Sequence, residues 1–144
     1  MSAGQLLDTS VLSTLAPGRA EALTLVGEQL RSHAGSNYFS VVTITEIQAG
    51  IEKLRRAGST DRAEKLSIWL TKLVAVYGNR VLQIDNEIAF ESGILADKAT
   101  AMGRHPGIPD ILIAATAKIR DLTLSTRNGR HFEPLGISWN DPFE

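Results

Sequence analysis

A chain of 144 residues with 43% hydrophobic and 22% charged side chains has the size and make-up of one folded domain, which excludes a wholly disordered protein. Fifteen basic side chains against sixteen acidic leave a net charge of −1, so any contact with nucleic acid needs a local basic patch rather than an overall positive field. The absence of cysteine removes disulfides, thiolate metal sites and a cysteine nucleophile, and it suits a reducing cytoplasm.

The first strand is expected over Gln5-Leu6-Leu7-Asp8, closing in Thr9-Ser10. A helix is expected from about Arg19 to His33, with Ala22, Leu23, Val26 and Leu30 on one apolar face and Gly35-Ser36-Asn37 breaking it. Tyr38-Phe39-Ser40-Val41-Val42 reads as a buried second strand, and a helix from Thr43 to Ala57 stops at Gly58. Ser59-Thr60-Asp61 offers caps for a helix running to about Tyr77, where Gly78-Asn79 ends it. Val81-Leu82-Gln83-Ile84 is the third strand, and a helix spans Asn86 to Met102, capped by Asp85. Pro109 opens a helix from Asp110 to about Arg120. Leu122 to Thr126 is the fourth strand, with a short fifth around Gly136 to Trp139. No repeat or linker divides the chain, so residues 1–144 are expected to form a single domain. The opening Met1 to Gln5 lacks the basic region of a signal peptide, and no run approaches the roughly 18 apolar residues of a membrane span.

Short apolar strands alternating with helices argue for a parallel sheet covered on both faces. Ligands of such sheets sit outside the carboxyl ends of the strands. Three acids fall at those places: Asp8 ends the first strand, Glu46 follows the second, and Asp110 starts the helix after Pro109. Asn128 lies just past the fourth strand. Each acid also has a plain structural reading. Asp8 suits a helix N-cap. Thr43-Ile44-Thr45-Glu46 has the form of a capping box. Asp110 suits the dipole of a helix start. Together, however, carboxylates converging on one sheet edge repel and call for a proton or a cation. An oxygen-only set suits Mg²⁺ or Mn²⁺, ions that activate water and stabilise charge at a phosphodiester.

Four segments carry a family resemblance: Leu6-Leu7-Asp8-Thr9-Ser10-Val11-Leu12, Ser40-Val41-Val42-Thr43-Ile44-Thr45-Glu46, Pro109-Asp110-Ile111-Leu112-Ile113-Ala114-Ala115-Thr116-Ala117, and Leu122-Thr123-Leu124-Ser125-Thr126-Arg127-Asn128. In that order, with Leu135-Gly136-Ile137 near the end, the chain resembles PIN-domain ribonucleases of the VapC/FitB type, toxins of bacterial toxin–antitoxin pairs. The resemblance implies a three-layer α/β/α sandwich with a mostly parallel sheet of about five strands, and an endoribonuclease dependent on Mg²⁺ or Mn²⁺. It implies Asp8, Glu46 and Asp110 at the metal and Asn128 at a fourth catalytic position. Thr126, and Thr9 or Ser10, match supporting hydroxyls. It implies a small cognate antitoxin and a homodimer. His131-Phe132 departs from the Asp-Phe that the group often carries there.

Other residues keep two readings. Arg127 and Arg130 form either a solvated loop or forked holders of RNA phosphates. Asp97 reads as a solvated helix residue, and His33, His105 and His131 share no ligand spacing. Lys53-Leu54-Arg55-Arg56 suits the end of a helix dipole. Ile68, Trp69, Leu70, Leu73 and Val74 exceed one apolar face and supply surface for a dimer. Two alternatives stand beside the ribonuclease. In an aspartate-based phosphohydrolase, Asp8 would be the covalent nucleophile, although that pattern wants an acid where Ser10 stands. In a non-catalytic protein-interaction domain the acids would only cap helices. No Gly-rich phosphate loop or dinucleotide fingerprint is present.

Overall fold

The computed structural model describes residues 4–144; Met1 to Ala3, part of the segment read above for a signal peptide, lie outside the described residues. Five strands form one sheet: β1 (Gln5–Leu7), β2 (Asn37–Ser40), β3 (Val81–Leu82), β4 (Thr123–Ser125) and β5 (Trp139–Asn140). Their order is β3-β2-β1-β4-β5 and every neighbouring pair is parallel. The expected α/β sandwich is therefore present, with β1 at its centre. Leu6 pairs with Tyr38 on one side and Leu124 on the other.

The α-helices are α1 (Thr9–Leu12), α2 (Leu25–Ser32), α3 (Val41–Arg56), α4 (Thr60–Tyr77), α5 (Asn86–Ala101) and α6 (Ile108–Ile119). The two-residue period of a strand divides β1 between two cores. Leu6 joins Ile88, Leu95, Ile111 and Leu124 under α5 and α6. Leu7 joins Val11, Phe39 and Tyr77 under α1, α2 and α4. Both leucines are fully buried. Truncating either to alanine would cost about 2–5 kcal/mol. This double anchoring fixes the height of Asp8, the next residue.

Helices α5 and α6 run antiparallel. Asp85, the N-cap of α5, pairs with Arg120 just past the far end of α6, and Glu91 pairs with Lys118 at 2.8 Å. Because α6 leads directly into β4, its first turn lies at the carboxyl edge of the sheet. That places Asp110 at the same edge as Asp8.

Several boundaries differ from expectation for local reasons. The helix expected from Arg19 to His33 is split into a 3-10 turn, Ala20–Leu23, and α2. Thr24 between them is extended and accepts a hydrogen bond from the Gly27 amide at 3.1 Å, so its hydroxyl starts a new helix. Leu23 consequently faces outward, 90% exposed, rather than joining the apolar face, and Leu25 beside it is 70% exposed. The second strand stops at Ser40, whose hydroxyl accepts from the Val42 amide at 3.0 Å. That cap overrides the β propensity of Val41 and Val42, which form the first turn of α3. The third strand ends at Leu82. The fifth starts only at Trp139, because Gly136 turns the chain in the left-handed region, φ 69°.

The apolar surplus of α4 is used within the chain only in part, since Ile68 and Val76 are exposed. Leu70 is buried, and Trp69, Leu73 and Val74 pack against the cores. Among the described residues no helix is long and apolar enough to cross a membrane.

Candidate active site

Asp8 leaves β1 and N-caps α1. Its Oδ1 accepts from the Ser10 hydroxyl at 2.5 Å and the Val11 amide at 3.2 Å. Its Oδ2 accepts from the Thr126 hydroxyl at 2.5 Å. The capping role expected of Asp8 is thus real, but it occupies one oxygen only. Thr126 immediately follows β4, so β1–β4 pairing delivers its hydroxyl to Asp8. The same Thr126 oxygen accepts from the Asn128 amide at 3.0 Å, and the Ser10 oxygen accepts from the Arg127 amide at 3.0 Å. Two hydroxyls therefore tie the loop after β4 to the end of β1.

Asp8 is buried, 4% exposed. Burial pushes its carboxyl above the ordinary carboxylate range, against the opposing hydrogen bonds from Ser10, Thr126 and Val11. None of the ion pairs among the described residues reaches Asp8 or Glu46.

Glu46 is not part of a capping box. α3 is capped by Ser40, which leaves Thr43 buried within the helix and Glu46 in its second turn. The Thr9 hydroxyl donates to Glu46 Oε1 at 2.5 Å and lies 3.0 Å from the Thr43 hydroxyl. Adjacent residues Asp8 and Thr9 thus connect one acid to the other. Asp110 sits in the first turn of α6, partly exposed, with Oδ2 3.9 Å from His131 Nδ1. Asn128 is exposed, and its side chain makes no capping hydrogen bond to the 3-10 turn Gly129–His131 that follows.

The donors around Asp8 and Glu46 are carboxylate and hydroxyl oxygens, the chemistry that a hard divalent cation takes. Asp8 is buried, and no basic side chain among the described residues pairs with it. In this conformation no three His, Asp or Glu side chains among the described residues stand close enough together to enclose an ion.

Residues 6–135 match the family profile of the PIN domain. The chain belongs to the PIN domain family. Plasmid stability protein StbB of Pseudomonas syringae pv. tomato is 33% identical, over 96% of this chain and 98% of that protein. VapC ribonuclease Y4jK of Sinorhizobium fredii is 27% identical, over 96% of each. Among solved structures, FitAcB from Neisseria gonorrhoeae superposes with a TM-score of 0.82 at 27% identity, covering 97% of this chain and 99% of that one. A toxin–antitoxin complex from Klebsiella pneumoniae gives a TM-score of 0.65 at 26% identity, covering 98% and 99%. The family expected from the four motifs is the family found.

Beside the acids of this PIN domain, Arg127 is exposed yet held by two partners. Its guanidinium pairs with Glu21 Oε2 at 3.0 Å and lies 4.8 Å over the Phe143 ring. Arg19 pairs with the same oxygen at 3.1 Å. The sequence reading missed Glu21 and Arg19. Nothing in their spacing links them to position 127, and only the folded chain does.

Arg127, Asn128, Arg130 and His131 line one cavity of about 430 Å³. Thr9, Arg19, Glu46 and Arg62 line a second of about 250 Å³. The Asn128–His131 loop rests on Trp139, since a Cβ at Gly129 would lie 2.2 Å from that ring. Gly129→Ala is expected to lift the loop, costing about 1–3 kcal/mol. Urea unfolding checks it, and an unchanged midpoint would contradict the contact.

Proposed function

We propose that this PIN domain is a divalent-metal-dependent endoribonuclease, acting in the cytoplasm as the toxin of a bacterial toxin–antitoxin pair. The observation that carries the reading is Asp8: a buried carboxylate at the carboxyl end of the central strand, held by hydroxyls from two segments and neutralised by no basic side chain among the described residues. Support comes from relatives named as a VapC ribonuclease and a plasmid stability protein, and from likeness to a toxin–antitoxin complex.

Asp8, Glu46 and Asp110 are the carboxylates that would hold the cation, Mg²⁺ or Mn²⁺. When bound, such an ion lowers the pKa of water and neutralises charge developing at a phosphodiester. The chain's own residues do the positioning. Ser10 and Thr126 fix the two oxygens of Asp8. Thr9 takes Oε1 of Glu46, which leaves Oε2 as the oxygen that would face the cation. Asn128 supplies an oxygen acceptor without a fourth negative charge. Arg127 and Arg130 offer donors to backbone phosphates. The reaction breaks a P–O bond of RNA, with water supplying the new oxygen.

The phosphohydrolase alternative is weakened by Ser10, which spends its hydroxyl on Asp8 Oδ1 where that chemistry needs an acid. Partners in this reading are RNA, a small antitoxin and a second copy of the chain. Exposed Phe90 and Ile94, one turn apart on α5, offer apolar surface for the copy.

The purified protein is expected to cut single-stranded RNA with Mg²⁺ or Mn²⁺, and to stop when the ion is chelated. Its expression is expected to arrest bacterial growth until a cognate antitoxin is supplied. Cleavage that survives chelation would sink the metal assignment. Harmless expression of an active nuclease would sink the toxin assignment alone.

A further inference from the structure

Glu21 ties together two arginines that belong to different cavities. Arg19 lines the cavity of Thr9 and Glu46, and Arg127 lines that of Asn128 and His131. Both guanidiniums end on Glu21 Oε2, at 3.1 and 3.0 Å. The turn that carries Glu21 is held close to α2 by Gly27, where a Cβ would lie 2.4 Å from the Glu21 carbonyl oxygen. Arg127 is fixed further by the Phe143 ring and by its amide on Ser10, whose hydroxyl reaches Asp8.

Charge and donor counts make this more than a surface ion pair. The Glu21 carboxyl is held down to about 2, first by its own backbone amide, then by Arg19 and Arg127. It is therefore ionised at neutral pH, and two guanidiniums with one carboxylate leave a net positive group. Each guanidinium has five N–H donors and gives Glu21 one. Side-chain exposures of 41% for Arg19 and 39% for Arg127 leave remaining donors reachable from solvent. Exposed ion pairs of this kind add little to stability, so folding alone gives little reason for the arrangement.

We propose that Glu21 is a positioning residue that holds Arg19 and Arg127 side by side as a guanidinium clamp for the RNA backbone beside the acids. The proposal rests on the ribonuclease reading above. Planar guanidiniums bind phosphate oxygens in pairs, and fixing their orientation beforehand spares the ordering cost at binding. Glu21 then helps RNA binding even though its own charge repels RNA.

That opposition supplies the test. A fluorescent single-stranded RNA is titrated into full-length Asp8→Asn protein, which leaves the RNA uncut, across a range of salt concentrations. In this background Arg19→Ala and Arg127→Ala are each expected to reduce the slope of log K against log salt by about 0.7. Glu21→Gln is expected to weaken binding about fivefold, although simple charge removal would tighten it. Glu21→Asp, which keeps the charge on a shorter arm, should fall between. Tighter or unchanged binding in Glu21→Gln, or unchanged slopes in both arginine variants, overturns the clamp. Absence of cleavage by the wild-type protein with Mg²⁺ or Mn²⁺ overturns the ribonuclease reading instead, so the two failures are separable.

Discussion

Asp8→Asn is expected to lower RNA cleavage about a thousandfold or more while raising the thermal midpoint of the metal-free protein. Both effects have one cause. Burial raises the Asp8 pKa, so in the folded chain the proton is held to a higher pH than in the unfolded chain. Between those two pKa values the folded state binds more protons, and stability falls as pH rises. Above the folded pKa the full penalty of a buried charge is present. Asparagine keeps an oxygen for the α1 cap and carries no charge to desolvate. The gap between variant and wild type should therefore open as pH rises through the Asp8 pKa and then level off. Each kcal/mol gained is worth roughly 3–4 °C in a domain of this size. Adding Mn²⁺ should raise the wild-type midpoint and leave the variant's almost unchanged, since only the carboxylate rewards the ion. Calorimetric scans in chelator and in Mn²⁺, at several pH values, decide it. A variant less stable than wild type throughout would mean that the charge of Asp8 serves the fold.

Thr126→Val should be the most damaging near-isosteric change at the site. Thr126 is fully buried, and its one hydroxyl donates to Asp8 Oδ2 and accepts from the Asn128 amide. Valine keeps the shape and removes both bonds, leaving a buried carboxylate oxygen with one donor fewer and an amide without its acceptor. Hydrogen bonds to charged groups are worth about 1.5–3 kcal/mol, so a loss of about 3 kcal/mol is expected, with cleavage sharply reduced. In the Asp8→Asn background the same substitution should cost at least 1 kcal/mol less, roughly the coupling expected of groups in direct contact. Urea titrations of the four proteins test it, and strict additivity would show that Thr126 supports the fold independently of Asp8.

The sequence makes the sheet legible because its strands are short apolar runs bounded by turn residues, and Leu6-Leu7-Asp8 states in three letters two buried faces and a polar strand end. It makes Asp8, Glu46 and Asp110 legible as candidates through their places at strand ends and a helix start, and Thr126 only through the family resemblance. What it hides is set by competition between local and distant contacts. Thr24 and Ser40 each carry a hydroxyl that starts a helix, and from sequence both sit inside runs of favourable periodicity. The reading of Glu46 as a capping partner fails for that reason: Ser40 takes the cap three residues earlier. Glu21 and Arg19 were invisible as site neighbours because their meeting with Arg127 depends on tertiary packing, to which helical or strand periods give no access.

The Thr126–Asp8 bond joins residues 118 positions apart. An N-terminal fragment on the ribosome can bury Leu7 under α1 and α4, yet it lacks β4, Thr126 and Asn128, so half of the Asp8 pocket is still untranslated. At roughly 5–20 residues per second, the interval between making Asp8 and making Thr126 is on the order of ten seconds. An enzyme that cuts RNA would be born among ribosomes and messages that it could damage. With its central carboxylate and that carboxylate's support 118 positions apart, the site would be assembled only after β4 is made.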